Sequence, residues 1–134
     1  MAAWLLALTG DARATLHGDQ RVIESFPFKV GRESRLVAAK PRQEAERRHA
    51  TRPPLNDVYI VDRGEVLNVS REHFLIEEEG GRYFLVDRCS ACGTIVEGQI
   101  VGGDRNGGRV ELHDHDVIIV GTPVSPFVFK FRSA

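Results

Sequence analysis

Apolar side chains in this chain recur with a period of two. Phe127, Phe129 and Phe131 alternate with Val128 and Lys130, Tyr83 and Leu85 alternate with Phe84 and Val86, and Val117 to Val120 is a short β-branched run. That period places alternate residues on opposite faces of an extended strand, whereas a helix needs a period near 3.6. Turn-forming clusters separate the runs: Gly80-Gly81, Glu97-Gly98, Gly102-Gly103, Asn106-Gly107-Gly108 and Gly121-Thr122-Pro123. Short strands broken by tight turns predict an all-β sandwich. Trp4 to Leu8 is read as a first strand. It lacks a basic leading region, ends at Thr9-Gly10-Asp11 before reaching the length of a signal-peptide core, and cannot supply the ~20 apolar residues that span a bilayer.

A length of 134 residues is read as one domain, residues 1–134, with a core over about residues 5–131. Any site must then sit on the loops or surface of a single fold. Lys and Arg number 18 against 19 Asp and Glu, for a net charge of −1. No global field draws such a chain to nucleic acid or anionic lipid, so neither is an expected partner, and a cytoplasmic setting is expected. One segment departs from this balance: residues 40–52 carry five basic and two acidic residues ahead of Pro53-Pro54. It is read as the heart of an exposed insertion over residues 36–54, or as a basic flap against an acidic partner.

The chain shows no convincing catalytic set, and no enzyme activity is expected. Ser70 and His73 stand three apart, but nucleophilic catalysis also needs an orienting third group and an oxyanion hole on a rigid turn, and no G-x-S-x-G or equivalent occurs. Glu77-Glu78-Glu79 is read as a solvated strand end, since no other carboxylate cluster accompanies it. Cys89 and Cys92 form a lone C-x-x-C. Free thiols, a redox pair and half of a zinc site all fit that spacing, although the five histidines offer a second ligand pair only as His113-x-His115. No cofactor or metal is expected.

A series of short motifs carries more information: Phe28-Lys29-Val30-Gly31-Arg32, Asn56-Asp57-Val58, Ser70-Arg71-Glu72-His73-Phe74, Val86 to Gly98 with Cys92-Gly93-Thr94 inside it, and Leu112 to Gly121. In content and order the series resembles the forkhead-associated (FHA) domain family, from about Leu5 to Phe131. The resemblance implies an eleven-stranded antiparallel β-sandwich, interrupted by the basic insertion between the Gly-Arg and Ser-x-x-His motifs. It also implies that loops at one end bind phosphothreonine peptides of a partner protein marked by a Ser/Thr kinase.

A phosphothreonine carries about −1.5 to −2 charges and three acceptor oxygens, so its receptor needs a fixed cation and hydroxyl or amide donors. By the resemblance, Arg32 supplies the guanidinium, Ser70 the hydroxyl and Arg71 further donors. Asn68 matches a position that contacts the side chain three residues after the phosphothreonine. Gly31, His73, Gly93 and Thr94 match positions that brace the loops. Cys92 stands where the family usually has an Asn whose amide clamps the peptide backbone, and a thiol is a poor substitute for a carboxamide. Ala91 and Glu97 also replace polar residues common in the family. The resulting expectation is a phosphothreonine-dependent interaction module, with phospho-independent docking on the same fold, or a redox or zinc-responsive protein using Cys89 and Cys92, as alternatives.

Overall fold

The computed structural model of the chain describes residues 2–33 and 55–134, so the insertion expected at residues 36–54 lies outside the described residues. Along the chain run β1 (Ala3–Ala7), α1 (Gly10–Leu16), β2 (Gln20–Ile23), β3 (Phe28–Arg32), β4 (Val58–Ile60), β5 (Phe74–Glu79), β6 (Arg82–Asp87), β7 (Thr94–Val96), β8 (Gln99–Val101), β9 (Gly108–Leu112), β10 (Val117–Val120) and β11 (Val128–Ser133). The strands form a six-stranded sheet, β2-β1-β11-β10-β7-β8, and a five-stranded sheet, β4-β3-β5-β6-β9. This is an eleven-stranded β-sandwich.

The period-two pattern determines what the sandwich encloses. Leu5, Ile118, Phe129 and Phe131 from one sheet and Val30, Phe74, Ile76 and Leu85 from the other are at most 1% exposed and belong to one cluster. Tyr83 on β6 meets Phe131 on β11 edge to face, with ring centroids 5.2 Å apart, which ties the two layers together. Two-residue turns set two of the hairpins. Gly80 and Gly81 join β5 to β6 with φ of +59° and +79°, and Glu97 and Gly98 join β7 to β8 with φ of +47° and +80°. Positive φ at both central residues matches the strand twist, which is why such pairs mark hairpins in sequence.

Two features depart from the sequence reading. Pairing is antiparallel except between β3 and β4, which run parallel with Val30 opposite Val58 and Arg32 opposite Ile60. A parallel pair needs a long return connection, and residues 33–57 provide the length. The second departure is α1, placed where the sequence reading had only a strand end. The Thr9 hydroxyl accepts from the Ala12 amide at 3.1 Å and His17 closes the helix in the left-handed region, while Ala12 and Leu16 are buried. No helix among the described residues is long and apolar enough to cross a membrane.

The registers bring the ends of β1, β3, β4, β6, β8 and β10 to one end of the sandwich. The loops leaving those strands therefore lie together. Phe131→Ala is expected to lower stability by about 3–5 kcal/mol, because it empties a fully enclosed position. Ile100→Ala, at a site 70% exposed, is expected to change it by less than about 1 kcal/mol. Urea denaturation of both variants checks the contrast.

Candidate functional site

The site begins with a missing β-carbon. One built on Gly31 would lie 2.0 Å from the Arg71 carbonyl oxygen and 2.7 Å from Asn56 Nδ2, so only glycine lets the loop before β5 settle against β3. That approach allows the Arg32 amide to donate to the Ser70 carbonyl at 2.9 Å, and Arg32 Nε to donate to the Val69 carbonyl at 2.9 Å. Arg32 is half-buried, with Nη1 3.5 Å from the Glu33 carbonyl oxygen. Its side chain is thus anchored along the backbone of the loop that carries Ser70 and Arg71.

His73 is fully buried and joins three segments. Its Nδ1 accepts from the Ser70 amide at 3.0 Å, which assigns the proton to Nε2, and Nε2 donates to the Gly93 carbonyl at 2.7 Å. Its backbone amide donates to the Val30 carbonyl at 3.1 Å, and its carbonyl accepts from the Arg88 amide at 2.8 Å. Burial lowers the imidazole pKa below the ordinary 6.5, while the Gly93 hydrogen bond and the charge of Asp87 act the other way. Neutral imidazole is the form that keeps both ring contacts, since a protonated Nδ1 cannot accept from Ser70.

Three buried polar groups shape the neighbouring turns. Asp87 Oδ1 accepts from the Ser90 amide at 2.9 Å, and Oδ2 accepts from the Ser90 hydroxyl at 2.7 Å and the Thr94 hydroxyl at 2.9 Å. The Ser90 hydroxyl in turn accepts from the Gly93 amide at 2.9 Å, and Gly93 has φ of +82°. Asp62 Oδ2 accepts from the amides of Asn68 at 2.7 Å and Val69 at 3.1 Å. Asn56 donates through Nδ2 to the Arg71 carbonyl at 2.8 Å and accepts from Arg88 Nη1 at 2.6 Å, and Arg88 also pairs with Glu72 at 2.8 Å.

Sequence reasoning assigned no role to Asp62, Asp87, Ser90, Asn56 or Arg88. The spacing Asp87-x-x-Ser90 was the one local signal, that of a side chain capping its own turn.

The structure gathers Arg32, Asn68, Ser70, Arg71 and Cys92 around one loop. The Ser70 hydroxyl accepts from the Ala91 amide at 3.0 Å and has no acceptor for its own proton among the described residues. Arg71 is exposed, with no ion-pair partner among them. Asn68 Oδ1 accepts from the Thr122 hydroxyl at 3.0 Å, and Gly121 sits where a β-carbon would come within 2.7 Å of the Asn68 carbonyl oxygen. Cys92 Sγ donates to the Leu67 carbonyl at 3.5 Å, so its thiol faces that same loop. A guanidinium anchored by backbone, a second cation in solvent and a hydroxyl proton together suit an oxyanion.

Cys89 and Cys92 are both free thiols, and their sulfurs have different neighbours: Leu67 for Cys92, the Gly107 turn for Cys89. Among the described residues no group of three or more His, Cys, Asp and Glu could hold a metal ion.

Comparison with known proteins bears on this arrangement. The family model "FHA domain" matches residues 28–121. No curated protein sequence matches the chain. Among solved structures, the FHA domain of the CT664 protein of Chlamydia trachomatis is 18% identical with a TM-score of 0.64, covering 100% of this chain and 99% of that one. The kinase-interacting FHA domain of the Arabidopsis kinase-associated protein phosphatase is 24% identical with a TM-score of 0.63, covering 98% and 92%. The N-terminal FHA domain of Rad53p from S. cerevisiae, solved with a phosphothreonine peptide, is 18% identical with a TM-score of 0.60, covering 100% and 94%. At these identities the likeness establishes the fold.

Gly31→Ala is expected to destabilise the protein by about 1–3 kcal/mol, because the Arg71 backbone must move away from β3; thermal or urea unfolding reads the loss. The buried His73 yields a pH dependence. Its folded pKa lies below its unfolded value, so the unfolded chain takes up the proton first as pH falls. His73 therefore lowers stability as pH drops below about 6.5, toward its depressed folded pKa. The melting temperature of the wild type is expected to fall over that window, with a shallower fall in His73→Gln.

Proposed function

Because the chain belongs to the FHA domain family, we propose that it is a phosphothreonine-dependent interaction module, binding phosphopeptides of a partner protein at the loop end of the sandwich. The observation that carries this reading is the cluster of Arg32, Ser70 and Arg71. Arg32 would meet the phosphate with its planar donors, Ser70 with its hydroxyl proton and Arg71 with an exposed charge, each charge-assisted bond contributing about 1.5–3 kcal/mol. Gly31, His73, Gly93 and Thr94 serve as the bracing set beneath them. The yeast relative's complex with a phosphothreonine peptide supports the same mode.

The reading carries further consequences. Such a module recognises a mark without performing chemistry, so no catalytic activity and no cofactor are needed. A Ser/Thr kinase would write the mark, so the proposed role is in kinase signalling, with a cytoplasmic setting proposed alongside it. Asn68, fixed by Asp62 and Thr122, faces the part of the peptide that follows the phosphothreonine. Cys92 provides no carboxamide to clamp the peptide backbone, so affinity rests more heavily on the phosphate contacts than in relatives with Asn there.

An oriented phosphothreonine peptide library, followed by calorimetric titration of the preferred peptide, tests this. Phosphorylated peptide is expected to bind and the unphosphorylated peptide not. Arg32→Ala is expected to weaken binding about tenfold to a hundredfold, and Cys92→Asn to tighten it about threefold to tenfold. Equal binding of both peptide forms, or binding unchanged by Arg32→Ala, would favour phospho-independent docking instead.

A further inference from the structure

The two outer faces of the sandwich differ in kind. On the five-stranded sheet, outward charges cover what lies beneath: Arg82 pairs with Glu111, Arg109 pairs with Glu77 and Glu79 at 2.8 Å each, and both guanidiniums lie over the Phe84 ring. This is the polar outer surface expected of an antiparallel sheet with one face in water.

Among the described residues the six-stranded sheet carries less of that cover, with Arg132 over Trp4 its one guanidinium stacked on an outward ring. Register places Trp4 and Leu6 of β1, Val128 of β11 and Val117 and Ile119 of β10, all half-buried, on the face opposite to Leu5, Phe129 and Ile118, together with Ile95 of β7, which its neighbours bury. The strip continues to both edges, with Val22 on β2 opposite Trp4 and Ile100 on β8 opposite Ile95, exposed by 48% and 70%. Charge enters near its centre, on β11. Arg132 is occupied, pairing with Asp114 at 2.9 Å and lying over the Trp4 ring. Lys130 stands between Leu6 and Val117 in the register and has no ion-pair partner among the described residues.

Size and charge together select the occupant. Six strands at a spacing of about 4.8 Å, each a few residues long at about 3.3 Å per residue, give a face on the order of 300–400 Å². That footprint includes Lys130 and Arg132, so its apolar part is smaller still, well under the ~800 Å² per partner of a standard interface between folded proteins. A second copy stacked on the same face about a two-fold axis would also bring one Lys130 toward the other.

We propose that the outer face of the six-stranded sheet docks an amphipathic helical segment of a partner protein, whose aliphatic side chains surround one Asp or Glu that pairs with Lys130. A helix about 10 Å in diameter covers about two strand spacings, enough to reach Leu6, Lys130 and Val117 together. The inference is independent of the phosphothreonine reading, since the face lies on the side of the sandwich and none of Arg32, Ser70 and Arg71 belongs to it.

Trp4 is the one tryptophan of the chain and lies on this face, so its emission reports occupancy directly. The test uses displayed libraries of helical peptides of about 18 residues, or about five turns, with an aliphatic stripe at i, i+3, i+4 and i+7 and a central Glu, Gln or Lys, selected against the full chain. The Glu library is expected to enrich, with a blue shift of Trp4 emission on titration of the selected peptide. Lys130→Glu is expected to weaken that peptide at least about tenfold and to bind its central-Lys counterpart instead. Lys130→Gln serves as the neutral control. The proposal is overturned by failure of the Glu library to enrich, by equal enrichment of the Lys library, or by binding that survives Lys130→Glu. It is also overturned if sedimentation shows self-association through this face, or if Trp4 responds to phosphatidylserine vesicles and to no peptide.

Discussion

A single buried residue, His73, holds the loop end of this sandwich together. Its four hydrogen bonds run to β3 at Val30, to Ser70 within its own loop, and to Arg88 and Gly93 in the loop after β6. Two of them use ring nitrogens in opposite roles, one accepting and one donating. Only neutral imidazole in one tautomer satisfies both, and burial favours that form. The arrangement also requires that nothing intrude between β3 and the loop. The absent β-carbon of Gly31 meets that requirement, because any side chain there would collide with the Arg71 backbone.

From this hub the site is assembled mostly by backbone. Arg32 is held by the carbonyls of Val69, Ser70 and Glu33, and the Ser70 hydroxyl by the amide of Ala91. Asp62 and Asp87 collect amides and hydroxyls of the turns on either side, so that buried carboxylates are hydrogen-bonded rather than left bare. Beneath them the apolar layer anchors the strand ends from which these loops spring. The side chains offered to solvent, Arg71 above all, are the ones not used in this internal wiring.

Much of the fold was legible because its signals are local. Alternation in Phe127 to Phe131 and Tyr83 to Val86 defines strands by itself, and Gly80-Gly81 and Glu97-Gly98 define hairpins through the positive φ they adopt. The parallel pairing of β3 with β4 was not legible, since nothing in Val58-Tyr59-Ile60 states the direction in which it runs. α1 escaped notice because seven residues with two buried side chains carry a weak helical pattern, and Thr9 reads equally as a strand end and a cap. At the site, Arg32 and Ser70 could be singled out by motif. Asp62 could not, because its partners are backbone amides, which leave no mark in sequence; and Asn56 meets Arg88 across 32 positions.

The claim on which this account rests is that the Arg32, Ser70 and Arg71 cluster receives a phosphothreonine. Amide chemical-shift mapping by NMR, with matched phosphothreonine and threonine peptides, tests it most directly. The account predicts that the phosphorylated peptide alone shifts the amides of Ser70, Arg71 and Ala91 and the Arg32 Nε–H, leaving the outer sheet faces unmoved. Shifts centred elsewhere on the sandwich, or equal shifts with the two peptides, would contradict it.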